Sequence, residues 1–298
     1  MLPNLLIAGA PRCGTTSLFH YLQSHPEISF PKLKEPRYFS SYQLSLPQGG
    51  PGDQSVDQKL ITDFQDYERL YDRLHNTYVG DGSTTYLYHY QDSIPEIKRR
   101  LGQPHIILVL RQPVQRAYSA YYNLVRDGRE TETFGKAIAL ENARIAEGYD
   151  MMWHLTAVSM YADGVEAFLE AFSNVEVILY DDLPEDPLPI LNGISRFLGV
   201  SPFPELKKAY HYSKGGIPRF KPTTKLVGRN NGASSKLRMI IENIIGRHAF
   251  EKIGRIMLKP HPDIPKKDFR NLMPMFNENI KRLETILDRD LSTWAVYE

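Results

Sequence analysis

Residues 4–19, NLLIAGAPRCGTTSLF, constrain this chain more than any other stretch. Leu5, Leu6, Ile7 and Ala8 form an apolar run without alternation, the pattern of a strand buried on both faces of a parallel sheet. Gly9 ends the run, Pro11-Arg12-Cys13-Gly14 makes a turn, and Thr15 to Gln23 reads as a helix with Leu18 and Leu22 on one face. Such a turn aims the free N–H groups and positive dipole of the first helical turn at an anion. Gly9 and Gly14 have the spacing of the nucleotide-triphosphate loop, G-x-x-x-x-G-K-[ST], but Thr15 stands in place of the Lys that reaches the outer phosphates. Arg12 is the only cation in the loop. An anion cradle with hydroxyls at Thr15, Thr16 and Ser17 is therefore kept, while the part that handles a magnesium-bound triphosphate is missing.

His105 to Leu110 is the clearest second core strand and delivers Arg111 to its C-terminal end, the edge where open parallel sheets bind ligands. Pro113 suits the first position of a helix running to Arg126. Ser119 lies six residues on, roughly 9 Å along the axis, so Arg111 and Ser119 can converge on one compact anion as a fork and a hydroxyl donor. Further strands are expected at Thr77 to Gly80 and Val175 to Tyr180. Helices are expected over Ile61 to Leu74, Ser93 to Leu101 with Ser93 as N-cap, Thr133 to Glu147, Leu155 to Phe172 and the segment ending near Leu198. Phe276, Ile280, Leu283, Leu287 and Leu291 mark an amphipathic helix. Gln43 to Val56 reads as a flexible surface excursion. This alternation predicts an α/β fold, a three-layer P-loop-like domain with a central parallel sheet flanked by helices, forming a single domain over residues 1–298.

The net charge of +1 argues against a general polyanion or nucleic-acid binder, although residues 205–270 carry 16 Lys and Arg against 5 acids. That stretch is either a solvated basic face or a basic wall over an anionic ligand. A lone cysteine, Cys13, excludes intrachain disulfides and Cys-based metal sites, and reads as a small neutral filler in the loop. The nine histidines show no ligand spacing, so no metal is implied. No apolar run approaches membrane-spanning length and the first strand begins near residue 4, so no membrane insertion, no signal peptide and a cytoplasmic location are expected.

Taken together, these segments resemble the sulfotransferases that use 3′-phosphoadenosine 5′-phosphosulfate (PAPS; product PAP), particularly bacterial members and the heparan-sulfate and tyrosylprotein branches. The likeness covers nearly the whole chain. Pro11 to Ser17 is similar to the 5′-phosphosulfate loop, which implies cofactor contacts from Arg12, Cys13, Gly14, Thr15, Thr16 and Ser17. Leu110-Arg111-Gln112-Pro113 with Arg116-Ala117-Tyr118-Ser119 is similar to the 3′-phosphate motif. Lys34-Glu35-Pro36-Arg37-Tyr38-Phe39 resembles the segment carrying a catalytic carboxylate, which implies Glu35 as base. Gly216-Ile217-Pro218-Arg219 resembles a late loop closing over the cofactor, and Asp288 to Trp294 a C-terminal signature.

Many relatives have Lys where this chain has Arg12; a guanidinium stays protonated, so Arg12 is expected to stabilise charge on the leaving phosphate. Glu35 reads either as general base or as an ion-pair partner of Lys34 or Arg37, and His154 is the next candidate base. The resemblance implies sulfuryl transfer to a hydroxyl-bearing acceptor, a carbohydrate or a small-molecule, lipid or polyketide alcohol. The competing readings are a P-loop kinase or nucleotidase, and a nucleotide-binding protein without catalysis.

Overall fold

A computed structural model describes residues 1–42, 44, 46–183, 186–203, 216–218 and 258–297. The first half contains β1 (Leu5–Gly9), α1 (Thr15–Gln23), β2 (Ile28–Ser29), α2 (Tyr38–Ser41), α3 (Gln54–Asp57), α4 (Phe64–Arg69), β3 (Tyr78–Asp81) and α5 (Tyr90–Leu101). Then come β4 (His105–Leu110), α6 (Pro113–Arg126), α7 (Phe134–Ala139), α8 (Glu141–Ala146), α9 (Ala162–Ala171), β5 (Val175–Leu179) and α10 (Leu188–Leu198). A short antiparallel pair, β6 (Gly216–Pro218) with β7 (Leu258–Pro260), precedes α11 (Lys266–Leu287).

Five strands form a wholly parallel sheet in the order β2-β3-β1-β4-β5, flanked by helices. All five residues of β1 are buried, as the unalternating run requires of a central strand. The chain leaves β1 toward β2 on one side and leaves β4 toward β5 on the other. The connections diverge at the C-terminal ends of β1 and β4, which puts the Pro11–Gly14 turn and Arg111 at the switch point where open parallel sheets form their ligand crevice. Gly9 is dictated by packing, since a Cβ there would run into the Leu87 side chain, whose backbone N–H donates to the Ala8 carbonyl at 2.8 Å.

Several sequence expectations need correction. The Ile61–Leu74 spacing yields only α4, capped by Asp63, which accepts from the Gln65 and Asp66 amides. The N-cap of α5 is His89; Ser93 lies inside the helix and donates to the Tyr86 carbonyl. Thr133–Glu147 divides at Leu140 into α7 and α8. The helix expected from Leu155 begins only at Ala162, because the preceding backbone is claimed by tertiary partners. The Glu141 carboxylate accepts from the Thr156 and Ala157 amides, and buried Arg116 donates to the Leu155 carbonyl and the Ser159 hydroxyl.

Within the excursion, Asp53 is fully buried and paired with Arg129. It also accepts from the Gly50 and Asp150 amides at 2.8 Å and from the Trp153 indole at 3.1 Å. The described part of the excursion is thus pinned to the core.

Candidate active site

Gly14 is the N-cap of α1 and adopts a left-handed conformation (φ 86°) that favours glycine; Arg12 is also left-handed (φ 72°). No side chain caps α1. The Ser17 and Leu18 amides both return to the Gly14 carbonyl, while the turn before them faces the crevice mouth. Cys13 is fully buried, 3.9 Å from the Tyr161 hydroxyl, and burial pushes its thiol up to about 11. It is the neutral filler expected, and only its backbone remains to meet an anion.

The Arg12 guanidinium turns toward α6, where Nε donates to Ser119 Oγ at 3.2 Å and a terminal nitrogen donates to Asn123 Oδ1 at 3.3 Å. Burial, then the nearby Arg126 and Arg111 cations, lower its pKa to about 10; Asp127 opposes them, and Arg116 adds to the repulsion. Arg111 lies over the Tyr180 ring at 4.4 Å, and its Nε donates to Gln115 at 3.3 Å. Its carbonyl accepts from the Tyr161 hydroxyl, which ties β4's end to the loop of β1.

The C-terminal signature buttresses this corner. Buried Trp294 donates its indole N–H to Asp181 at 2.7 Å, beside Tyr180, and its carbonyl accepts from Gln112 at 3.0 Å. Arg12, Arg111 and Ser119 therefore share one corner of the crevice. β6, which contains Gly216, lies against α6; Arg219 and most of the basic 205–270 stretch lie outside the described residues.

On the opposite side, Glu35 sits between two cations. Lys34 Nζ donates to Glu35 Oε1 at 2.6 Å and to Thr16 Oγ1 at 3.3 Å, and Arg37 donates to Glu35 Oε2 at 3.4 Å. Burial raises the Glu35 pKa, but Lys34 and Arg37 outweigh it and hold the carboxyl below its ordinary value. The ion-pair reading of Glu35 is correct, and it is compatible with base chemistry because each carboxylate oxygen keeps a second lone pair.

The loop is positioned from the end of β3. Ser83 Oγ accepts from the Arg37 amide at 2.9 Å and donates to buried Asp81 at 2.6 Å. Sequence reasoning passed over Lys34 as a loop cation, although its place in the Lys34-Glu35 pair was the available signal. It also passed over Asn123 and Ser83, for which the sequence offers none.

His154 has both ring nitrogens engaged, Nδ1 with the Tyr88 hydroxyl at 2.9 Å and Nε2 with the Tyr149 carbonyl at 3.2 Å. Nε2 must therefore carry the proton and Nδ1 accept, which leaves no free lone pair for a base. Among the described residues no cluster of His, Cys, Asp and Glu could hold a metal ion, and no helix is long and apolar enough to cross a membrane.

In chemical terms, Arg12 with Arg111 nearby, beside an uncapped helix N-terminus, suits an anion. Residues 3–205 match the family model described as Sulfotransferase family. A solved structure of a sulfotransferase from Alicyclobacillus acidocaldarius is 30% identical, with a TM-score of 0.77 over 99% of this chain and 100% of that one. Among curated proteins, human heparan sulfate glucosamine 3-O-sulfotransferase 3B1 is 25% identical over 74% of this chain and 52% of its own length. Mouse carbohydrate sulfotransferase 15 is 22% identical over 70% of this chain and 46% of its own. The match thus spans about half the length of these two curated relatives.

Proposed function

The chain belongs to the sulfotransferase family, enzymes that use PAPS as donor, and on that premise we propose that it transfers a sulfuryl group to a hydroxyl acceptor by in-line displacement. When bound, the donor supplies a sulfuryl group on a phosphate that gains negative charge as the bond to sulfur breaks. The backbone amides of Gly14 to Thr16 and the hydroxyls of Thr15, Thr16 and Ser17 are assigned to that charge, with Lys34 joining them through Thr16. Arg12 adds fixed positive charge from the α6 side. Arg111 and Ser119 hold the donor's 3′-phosphate; the late loop expected around Gly216 is in part a strand, with Gly216 opening β6, and the family resemblance adds Gly216 and Arg219 to the cofactor contacts. Glu35 takes the proton of the acceptor hydroxyl, its ionised form being maintained by Lys34 and Arg37.

The observation that carries this reading is the direction of Arg12, which leaves the loop of β1 and donates to Ser119 on α6 at 3.2 Å, close to Arg111 at the β1–β4 switch point. An anion seated there would meet both guanidinium groups. Thr15 in place of the loop Lys argues against triphosphate chemistry, so the kinase reading is the weaker one. Relatives named for carbohydrate and heparan sulfate substrates favour a sugar hydroxyl as acceptor.

The test is incubation with sulfur-labelled PAPS and a cell extract, followed by identification of the labelled product. Appearance of a labelled organic sulfate supports the proposal; PAP binding with no transfer to any acceptor would reduce the chain to a nucleotide-binding protein.

A further inference from the structure

Arg37, Gln48, His89, Tyr149, Asp150 and His154 border a cavity of ≈ 220 Å³. Arg37 lines the cavity and also donates to Glu35 at 3.4 Å, so one side chain links a molecule seated there to the proposed base. Ligand pockets for drug-sized molecules run to roughly 300–1,000 Å³. This one has room for a single small ring.

The wall is built before any ligand arrives. Asp53 joins the excursion carrying Gln48 to Arg129, Trp153 and the Asp150 amide, and Glu141 fixes the turn after His154. Two wall groups have unused hydrogen-bonding capacity. The Gln48 carbonyl Oε1 is buried without a donor, a condition that costs about 1–3 kcal/mol until a donor is supplied. Among the described residues the His89 ring has no hydrogen-bond partner, and burial lowers its pKa to about 4, so at neutral pH it offers one donor and one acceptor nitrogen. His154 is saturated, as described above.

The cavity's charge is already balanced. Arg37 is shared between Glu35 at 3.4 Å and Asp150 at 3.7 Å, and Lys34 is taken up by Glu35 at 2.6 Å. Two cations face two carboxylates, which leaves no uncompensated positive charge for an anionic acceptor among the described residues. Tyr149, Leu60 and Met151 add an apolar side. One polar rim with spare donors and acceptors and one apolar face match a sugar ring, whose C–H face packs on an aromatic while its hydroxyls turn to the rim.

We propose that this cavity is the acceptor subsite and takes one neutral hydroxyl-bearing ring, such as an uncharged sugar residue, rather than an anionic one. This rests on the transfer reading above and adds to it the charge and size of the acceptor.

The experiment uses the full chain saturated with PAP, with ¹³C-labelled histidine and the His89 resonance assigned by its loss in His89→Gln. Methyl β-D-glucopyranoside and methyl β-D-glucuronide, which differ in a carboxylate, are titrated separately. The glucoside should shift the His89 signal, and the glucuronide should bind at least ~5-fold more weakly. Gln48→Leu and, independently, Tyr149→Ala should each weaken the glucoside about 10-fold while leaving PAP affinity, measured by calorimetry, unchanged. Tighter or equal binding of the glucuronide overturns the proposal, as does a glucoside that leaves the His89 signal unmoved. Unchanged glucoside affinity in both variants also overturns it. If PAP itself fails to bind, the transfer reading falls and the subsite with it; if PAP binds and the glucoside does not, the subsite alone is wrong.

Discussion

Glu35→Gln separates the two halves of the proposed mechanism. The amide is nearly isosteric, and its one carbonyl oxygen still accepts from Lys34, which donates to Glu35 Oε1 at 2.6 Å in the wild type. The Arg37 contact is longer, 3.4 Å, and Arg37 also faces Asp150, so it is not stranded. Loss of stability should therefore be modest, about 1 kcal/mol, the net worth of a single hydrogen bond. PAP affinity should stay within about 3-fold, because Glu35 does not belong to the Arg12–Ser119–Arg111 corner. Turnover should fall by about 10²–10⁴, the range that a positioned base contributes.

The pH profile gives a second readout. Lys34 and Arg37 hold the Glu35 carboxyl below its ordinary value of 4.5, so the base stays ionised as the pH falls to that point. The acid limb of wild-type kcat/KM should lie below pH 4.5 and should vanish in the variant. Steady-state kinetics with the best alcohol acceptor, together with calorimetry for PAP, would test both. Wild-type turnover in Glu35→Gln, or an acid limb near the usual histidine range, would refute Glu35 as base.

Three other outcomes are expected. Arg12→Lys should keep part of the turnover and Arg12→Ala very little, while Arg12→Met should melt no lower than wild type. At neutral pH the depressed pKa means that the folded protein bears the full cost of a partly buried, repelled cation; a drop of more than ~2 kcal/mol in chemical denaturation would contradict this. Asp53→Ala should cost about 3–5 kcal/mol by leaving Arg129 buried and unpaired, and a wild-type melting temperature would show that the pair is dispensable. Transferase activity should survive excess chelator, and an absolute magnesium requirement would favour the kinase reading.

The sequence was most informative where function depends on short-range pattern. β1 with α1, and β4 with α6, were legible because a strand, a turn and a helix lie within about 20 residues and each obeys its own period. The places of the Pro11–Gly14 turn, Arg111 and Ser119 on those elements came with them. What could not be read depends on contacts closed by the fold. Asp53 meets Arg129 and Trp153 across 76 and 100 residues, and nothing local distinguishes it from a solvated loop acid. The apolar spacing after Leu155 did mark buried residues. Its backbone was drawn out of the helix by Glu141 and Arg116, whose side chains arrive from other elements. Arg12 was legible as the loop's cation, but its direction was not, because the partners that turn it, Ser119 and Asn123, lie more than 100 residues away.

The nucleotide proposed for the crevice between β1 and β4 carries both a 5′- and a 3′-phosphate. Calorimetric titration of the wild-type chain with PAP and with adenosine 5′-monophosphate, at one ionic strength, tests it directly. The two ligands differ only in the group assigned to Arg111 and Ser119, and two charge-assisted hydrogen bonds at about 1.5 kcal/mol each amount to about 10²-fold in affinity. PAP should bind tighter by about that factor; equal affinities for the two nucleotides, or no binding of either, would overturn the assignment.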